Sequence, residues 1–242
     1  MGHTAPARAS DFDATDPVLT RQVALARYRR LRAISRAHNS AAMERLPRDA
    51  VLRQARRLGL AHGRALVLDD MDELFYACDL AIYTAAPDHL SGIERYGRAA
   101  RAAPESDEAQ VLAAMRRARF TFLQIERRHP VAGLIAREAT QGDEVWLMDE
   151  GLEASAWSNS VIATRIYAPD EFYMTAGIIV PLEPEILAGA VVLVPFLDRK
   201  PLAEALQDRR FAEALYRVAL ANGISDRTCY LETPDDASRL TA

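Results

Sequence analysis

Five apolar segments rich in β-branched and aromatic residues follow one another between Arg119 and Val180, and they constrain the fold more than any other feature. The segments span 119–128, 131–138, 143–150, 160–168 and 171–180. Most are separated by short polar stretches such as HP, ATQG and PD, and connections that short favour antiparallel neighbours. A sheet of this size must bury at least one face. The pattern therefore predicts a five-stranded antiparallel meander or a small barrel over residues 118–182.

Helical patterns precede this segment and make residues 16–117 a predicted helical region. The first helix is expected to open with Asp16 as N-cap and Pro17 at its first position. Its apolar stripe is Leu19, Val23, Ala26, Leu31 and Ile34. A second helix is predicted over 48–58, ending at Gly59. Further helices are predicted over 68–87, around 90–102 and from 105 to 119. The helix over 68–87 has an apolar face that contains Met71, Leu74, Phe75, Cys78 and Ile82.

Closing helices are predicted over residues 183–232, namely 183–194 and a single longer helix over 201–223. Residues 1–15 are small, polar and aperiodic, which predicts disorder, and 233–242 read as a frayed tail. The expected class is therefore α+β, with an N-terminal helical region, a central antiparallel sheet or small barrel, and C-terminal helices.

The compartment is predicted from what the sequence lacks. No apolar run approaches the roughly 20 residues of a membrane-spanning helix, and no apolar segment of a secretory signal follows the first basic residue. Only Cys78 and Cys229 are present, which suits a reducing environment without a disulfide framework. These features predict a cytoplasmic protein with no membrane partner.

Positive charge is concentrated at the start of the chain. Residues 1–64 carry 13 Arg and 5 Asp or Glu, whereas the remainder carries 17 basic and 29 acidic residues. The basic helices could bind a polyanion such as nucleic acid by releasing counterions, or they could be solvated or dock on the acidic part of the chain. The scarcity of aromatic residues beside them favours the second possibility. The candidate polyanion-binding residues are Arg27, Arg29, Arg30, Arg32, Arg36, Arg53, Arg56 and Arg57.

An acidic corner follows the third predicted strand. Asp149, Glu150, Glu153 and Ser155 form a candidate functional rim there. Paired carboxylates can perform acid–base chemistry when one lies in an apolar pocket, but a loop rim usually leaves them solvated, and the solvated interpretation is favoured.

Other chemical motifs are poorly supported. A second acidic group, at 69–73, is explained by helix capping and by compensation of the helix dipole rather than by a metal. His62, His89 and His129 stand apart from one another, and His129 beside Pro130 is predicted to be a surface turn residue. Cys78 is expected to be inert on a buried helix face. No GxSxG, Walker or GxGxxG pattern occurs. The sequence therefore predicts no catalytic residue, no metal ligand and no cofactor.

Residues 107–182 resemble a module of poorly characterised bacterial proteins, some of which carry a SEC-C zinc motif. The resemblance is carried by the stretches VLAAMRRARFTFLQIERRHPVAGLIARE, GDEVWLMDEGLEASA and VIATRIYAPDEFYMTAGIIVPL. The matching positions are Gly133, Gly142, Glu144, Asp149, Ser155, Ala163, Arg165 and Gly177. The cysteine-rich motif itself is absent, so its metal and partners do not carry over. The resemblance implies a β module of unassigned function.

These observations favour a non-enzymatic interaction or regulatory module with an unknown protein partner. The first alternative is a nucleic-acid or ribosome-associated protein that uses the arginine-rich helices. A weaker alternative is a hydrolase that uses the acidic corner at 149–155.

Overall fold

A computed structural model describes residues 20–155, 159–197 and 199–224. The helices are α1 (Arg21–Glu44), α2 (Ala50–Leu58), α3 (Glu73–Tyr83), α4 (Gly92–Ala99), α5 (Asp107–Met115), α6 (Glu150–Ala154), α7 (Pro184–Leu193), α8 (Leu202–Gln207) and α9 (Arg209–Ala221). The strands are β1 (Ala61–His62), β2 (Ala65–Leu66), β3 (Arg119–Arg128), β4 (Leu134–Glu138), β5 (Glu144–Met148), β6 (Val161–Tyr167) and β7 (Tyr173–Pro181). The α+β class is therefore confirmed.

The five long strands form one mixed sheet, so the prediction of a purely antiparallel meander is wrong. Its hydrogen-bonded order is β3-β4-β5-β7-β6, and β6 also pairs with β3. The β5–β7 ladder is parallel and covers only Leu147↔Tyr173 and Met148↔Met174. Helix α6 lies between β5 and β6 in the chain, where only a loop was predicted. With this helix between them, β6 pairs with β3 rather than with β5, and β7 lies between β5 and β6.

Both faces of the central strands are buried. One apolar cluster contains only residues of the strands and α6, including Leu123, Leu147 and Ile162. A second joins the sheet to α1, α4 and α5, and a third joins it to α2, α3, α7, α8 and α9. Burial on two sides explains why β5 reads as a continuous apolar run rather than as an alternating one, and why β6 is buried from Ile162 to Tyr167.

Helix α1 buries a face that differs from the predicted stripe. It begins at Arg21 after a Thr20 cap, and the predicted cap at Asp16 and Pro17 lies outside the described residues. Its buried residues are Ala24, Tyr28, Leu31, Ser35, His38 and Ala42, whereas Val23 is 56% exposed. Polar residues occupy this face because they have buried partners. Ser35 Oγ lies 2.6 Å from the Tyr167 hydroxyl, and His38 Nε2 lies 2.9 Å from the Glu108 carbonyl oxygen.

Helix α3 is shorter than the predicted span of 68–87, and only part of its predicted apolar face lies in the core. Tyr76, Ala77, Leu80 and Ala81 are buried, whereas Met71 and Phe75 are 66% and 54% exposed. Ile82 of the predicted face is buried and Leu74 packs against the core, so the prediction is wrong for Met71 and Phe75.

The C-terminal region contains one more break than predicted. Helix α7 matches its predicted span, but the single helix predicted over 201–223 is divided into α8 and α9. Asp208 is extended at this break, and its side chain accepts a hydrogen bond from Arg210 N at 3.0 Å. The predicted disordered start and frayed tail lie outside the described residues. In the part of the chain that the structure describes, none of the helices has both the length and the apolar character needed to cross a membrane.

Candidate functional site

Among the residues that the structure describes, five of the six arginines of α1 are ion-paired with carboxylates on the segments that flank the sheet. Arg27 lies 2.7 Å from both Asp107 and Asp170. The other pairs are Arg21–Glu153 at 2.7 Å, Arg29–Glu150 at 2.7 Å, Arg30–Asp107 at 2.7 Å and Arg32–Asp149 at 3.0 Å. These contacts are the ones expected if the basic helix docks on the acidic part of its own chain.

Arg32 is the most enclosed of these arginines. Its Nη2 donates to Asp149 Oδ2 at 3.0 Å, and its Nη1 donates to the Thr175 carbonyl oxygen at 2.6 Å. The Thr175 hydroxyl donates to the same Asp149 oxygen at 2.6 Å. Burial by itself would lower the pKa of Arg32, but the oxygens of Tyr28, Tyr167 and Asp149 more than offset it, and the pKa is raised. This network fastens α1 to β7 and to the acidic corner.

The acidic corner was predicted to be a solvated rim, and that prediction is wrong for Asp149 and Glu153. Asp149 and Glu153 are buried, and Asp149 Oδ1 caps α6 by accepting from Leu152 N at 3.1 Å. Burial would raise the pKa of Glu153, but the hydrogen bond from Arg21 and other interactions outweigh it and lower that pKa. Glu150 remains partly exposed beside Arg29, and the Ser155 hydroxyl donates to the Gly151 carbonyl. A carboxylate held ionised by a guanidinium is poorly suited to act as a general acid at neutral pH.

The arginines of α2 lie apart from this network. Arg53 pairs with Asp49, Arg56 donates to the Gly63 carbonyl oxygen at 2.7 Å, and Arg57 lies 3.3 Å from Glu213. Arg36 is exposed on α1. Within residues 20–155, 159–197 and 199–224, no cluster of three His, Cys, Asp or Glu residues could hold a metal ion.

His129 is buried, contrary to its prediction as a surface turn residue. Its ring stacks on Trp146 with centroids 4.2 Å apart and an interplanar angle of 13°. Its Nδ1 accepts a hydrogen bond from Val131 N at 3.2 Å. Burial, reinforced by the charge of Arg127, lowers the pKa of His129 to about 4, so the ring is neutral at pH 7.

A buried ion pair between α3 and β6 was missed by the sequence reasoning. Arg165 Nε and Nη2 donate to the two Asp79 oxygens at 3.2 and 3.1 Å, and the Tyr216 hydroxyl donates to Asp79 Oδ2 at 3.1 Å. Burial would lower the pKa of Arg165, but Asp79 opposes it and the pKa is raised. The sequence did contain a sign that Asp79 and Arg165 are buried, because each is a charged residue within a strongly apolar run. What the sequence did not indicate was that they meet.

Beside this pair lies a groove of about 800 Å³, here called the α1–α3 groove. Its walls are the two helices and its floor is β7. It is lined by Asn39, Ser40, Met43, Asp72, Phe75, Cys78, Asp79, Ile82, Tyr83, Ala176, Gly177 and Ile178. The Tyr83 hydroxyl donates to Asn39 Oδ1 at 3.0 Å and so links the two walls.

The groove is more suited to binding than to covalent chemistry. Burial, with a smaller effect of Asp79, raises the pKa of the Cys78 thiol to about 11, so the nucleophilic thiolate is scarce at pH 7. The Asp79 carboxylate is already engaged by Arg165. At the floor, Gly177 has a φ of 123°, and a Cβ atom there would meet nothing within 4 Å, so the floor has room for a side chain from another molecule.

Comparison with known proteins gives a family but no activity. No curated protein and no solved structure matches the chain. A family model described as "Family of unknown function (DUF7986)" matches residues 22–188. This span contains α3, β7 and all of α1 except Arg21, and therefore every residue of the α1–α3 groove and all of the arginine–carboxylate network apart from Arg21. Because the match covers more than half of the chain, the protein belongs to this family of unknown function, DUF7986.

Proposed function

We propose that the protein is a non-enzymatic interaction or regulatory module that binds a protein partner in the α1–α3 groove. The observation that carries this proposal is the incomplete cover of α3. This helix buries Tyr76, Ala77 and Leu80 in the core, yet Phe75 is 54% exposed and Met71, just before the helix, is 66% exposed. A helix that is apolar on all sides is normally buried on all sides. Exposed apolar surface beside a groove is typical of an interaction site.

The chemistry of the candidate catalytic groups supports a binding role. Asp149 and Glu153 each contact an arginine of α1, and Asp149 also caps α6. A hydrolase that used this corner would have to break contacts that hold α1 to the sheet. The corner therefore supports a structural role better than the hydrolase alternative.

The contacts of α1 also make nucleic-acid binding the less favoured alternative. Arg27, Arg29, Arg30 and Arg32 already contact carboxylates of this chain. Phosphate groups would have to compete with those carboxylates. Polyanion binding stays a prediction for the exposed candidates Arg36 and Arg56, and for Arg53 and Arg57, whose ion pairs with Asp49 and Glu213 are partly exposed.

We further propose that the protein acts in the cytoplasm, on the basis of its two isolated cysteines, Cys78 and Cys229. A bacterial origin and a relation to modules associated with SEC-C motifs stay predictions from the resemblance of residues 107–182.

The proposal is tested by affinity capture from a lysate of the native host with three forms of the chain: wild type, Phe75→Asp and Val192→Asp. Val192 is 75% exposed on α7, outside the groove lining, so it is a matched control for a new surface carboxylate. Circular dichroism should first show the same helix content in all three. We expect a stoichiometric protein that survives nuclease treatment, is retained by wild type and Val192→Asp, and is lost with Phe75→Asp.

Two results would overturn the proposal. One is the same set of captured proteins with all three forms. The other is capture of nucleic acid alone, with binding that falls steeply as salt is raised.

A further inference from the structure

We infer that the segment of the partner that fills the α1–α3 groove is an amphipathic, positively charged α-helix. This inference rests on the proposed function and names the chemistry of the occupant. The observations that carry it are the helical walls of the groove and an acidic rim at the start of α3, made of Asp69, Asp70 and Asp72, of which Asp72 lines the groove. None of these three carboxylates is neutralised by an arginine in the part of the chain that the structure describes.

The form of the groove favours a helix. On α3, the lining residues Phe75, Cys78 and Ile82 recur at helical spacing, and on α1 the lining is Asn39, Ser40 and Met43. A third helix between these walls would cover the exposed side of α3 and complete a layer of helices over β7. The open floor at Gly177 could receive one large apolar side chain of that helix.

The rim of the groove sets the charge of the occupant. Asp69 and Asp70 are exposed and Asp72 is half-buried, all just before α3. None of the three forms an ion pair with any of the residues that the structure describes, unlike the carboxylates that face α1. Asp70 Oδ1 accepts a hydrogen bond from Asp72 N, at 3.1 Å.

Helix capping accounts for part of this acidic group, as the sequence predicted, because Asp70 accepts the hydrogen bond from Asp72 N and Glu73 Oε2 accepts one from Asp69 N at 2.9 Å. Asp72 stands at the N-cap position of α3 but its side chain makes no capping hydrogen bond. Apolar residues lie among the carboxylates, because Leu66, Val67 and Met71 are exposed in the same stretch. A surface that alternates apolar and anionic groups is complementary to a helix that alternates apolar and cationic ones. It would repel a phosphate or an acidic peptide.

The test uses designed peptides as probes. Three fluorescein-labelled 18-residue peptides are compared: a Leu/Lys helix with its leucines at i, i+3, i+4 and i+7, the same design with Glu in place of Lys, and a scrambled Leu/Lys peptide. Binding is measured by fluorescence anisotropy at 0.15 M and at higher salt. The variants are Phe75→Ser and the triple change Asp69→Asn, Asp70→Asn and Asp72→Asn.

The matched control for charge is the triple change Glu105→Gln, Glu185→Gln and Glu204→Gln, which alters net charge equally at exposed positions outside the groove lining. We expect the Leu/Lys helix to bind best. Loss of three rim charges should weaken it about tenfold at moderate salt. Loss of the Phe75 ring should weaken it by about tenfold or more, as for an aromatic anchor. The control triple should change binding by less than about twofold.

Equal binding of the Leu/Glu or scrambled peptide would overturn the inference. So would an equal loss with the rim and control triples, because attraction would then be general rather than local. The two proposals fail separately. If the lysate experiment yields a host protein that is lost with Phe75→Asp, but the chain does not prefer the Leu/Lys helix, only the inference about the occupant is refuted. Selective peptide binding without any host protein lost with Phe75→Asp would refute the proposed function.

Discussion

Removal of either partner of the buried ion pair between Asp79 and Arg165 should be strongly destabilising. Asp79→Leu leaves the Arg165 guanidinium buried without its counter-ion, and Arg165→Met leaves the Asp79 carboxylate with the Tyr216 hydroxyl alone. Both side chains are more than nine-tenths buried. An uncompensated charge at such a depth costs about 3 to 5 kcal/mol in free energy of unfolding. That is a large fraction of the roughly 5 to 15 kcal/mol typical of a folded domain.

The double variant Asp79→Leu with Arg165→Met should be much less destabilised than the sum of the two single changes. With both charges absent, the site holds two apolar side chains of similar length, and replacement of a buried pair by such residues is often close to neutral. The coupling energy of the double-mutant cycle should therefore be at least about 2 kcal/mol.

The free energies are measured by urea denaturation followed by tryptophan fluorescence and by circular dichroism. Arg53→Met, which breaks the exposed pair with Asp49, is the control and should leave the unfolding midpoint unchanged. Additive losses in the double variant, or single losses no larger than that of the control, would show that the pair does not hold α3 to the sheet.

Three further predictions concern the sheet and its contact with α1. First, the pKa of His129 is lowered from 6.5 to about 4 on folding, so the unfolded chain binds the proton more tightly. The free energy of unfolding should therefore be at its full value above pH 6.5 and should fall as the pH is lowered toward 4. Denaturation at pH 7 and pH 5 should show a loss of about 1 to 2 kcal/mol that His129→Phe abolishes, and an unchanged pH slope in that variant would refute the assignment. Second, Gly133→Ala should lower the free energy of unfolding by roughly 2 to 4 kcal/mol, because φ is 77° and the new Cβ would lie 2.4 Å from a carbonyl oxygen of β5. Gly142→Ala is the control, since its φ is 71° but the space around it is open, and it should cost only about 1 to 2 kcal/mol. Equal losses would show that the close contact at Gly133 is relieved. Third, Arg32→Met should cost about 3 kcal/mol and depend little on salt, whereas Arg29→Met at an exposed pair should leave thermal unfolding nearly unchanged; similar midpoints for both would contradict the buried role of Arg32.

Helix α1 links the two parts of the candidate site. On one side its arginines contact the carboxylates of the acidic corner, and on the other Asn39, Ser40 and Met43 form a wall of the groove. The arginine-rich pattern that suggested nucleic acid therefore has a structural use. Through Arg32 it fastens the helix to Asp149 and to Thr175 of β7, the strand that forms the floor of the groove.

Local signals made several elements predictable. Helix α2 ends at Gly59 with φ 85°, as a C-terminal glycine predicts, and α7 matches its predicted span. The strand β3 matches its predicted span at both ends. Each of these depends on residues close together in the chain, where composition and turn chemistry act directly.

The sequence by itself determined where the segments lie, their helical or extended character, and the opposite charges of the chain's start and remainder. Only the tertiary structure decided the strand order, the side of α3 that is left open, and the partners of the charged groups. The physical reason is distance along the chain. Arg32 and Asp149 are 117 residues apart and Asp79 and Arg165 are 86 apart, and no local pattern encodes that they meet. A carboxylate that reads as solvated in sequence becomes buried when a distant guanidinium neutralises it.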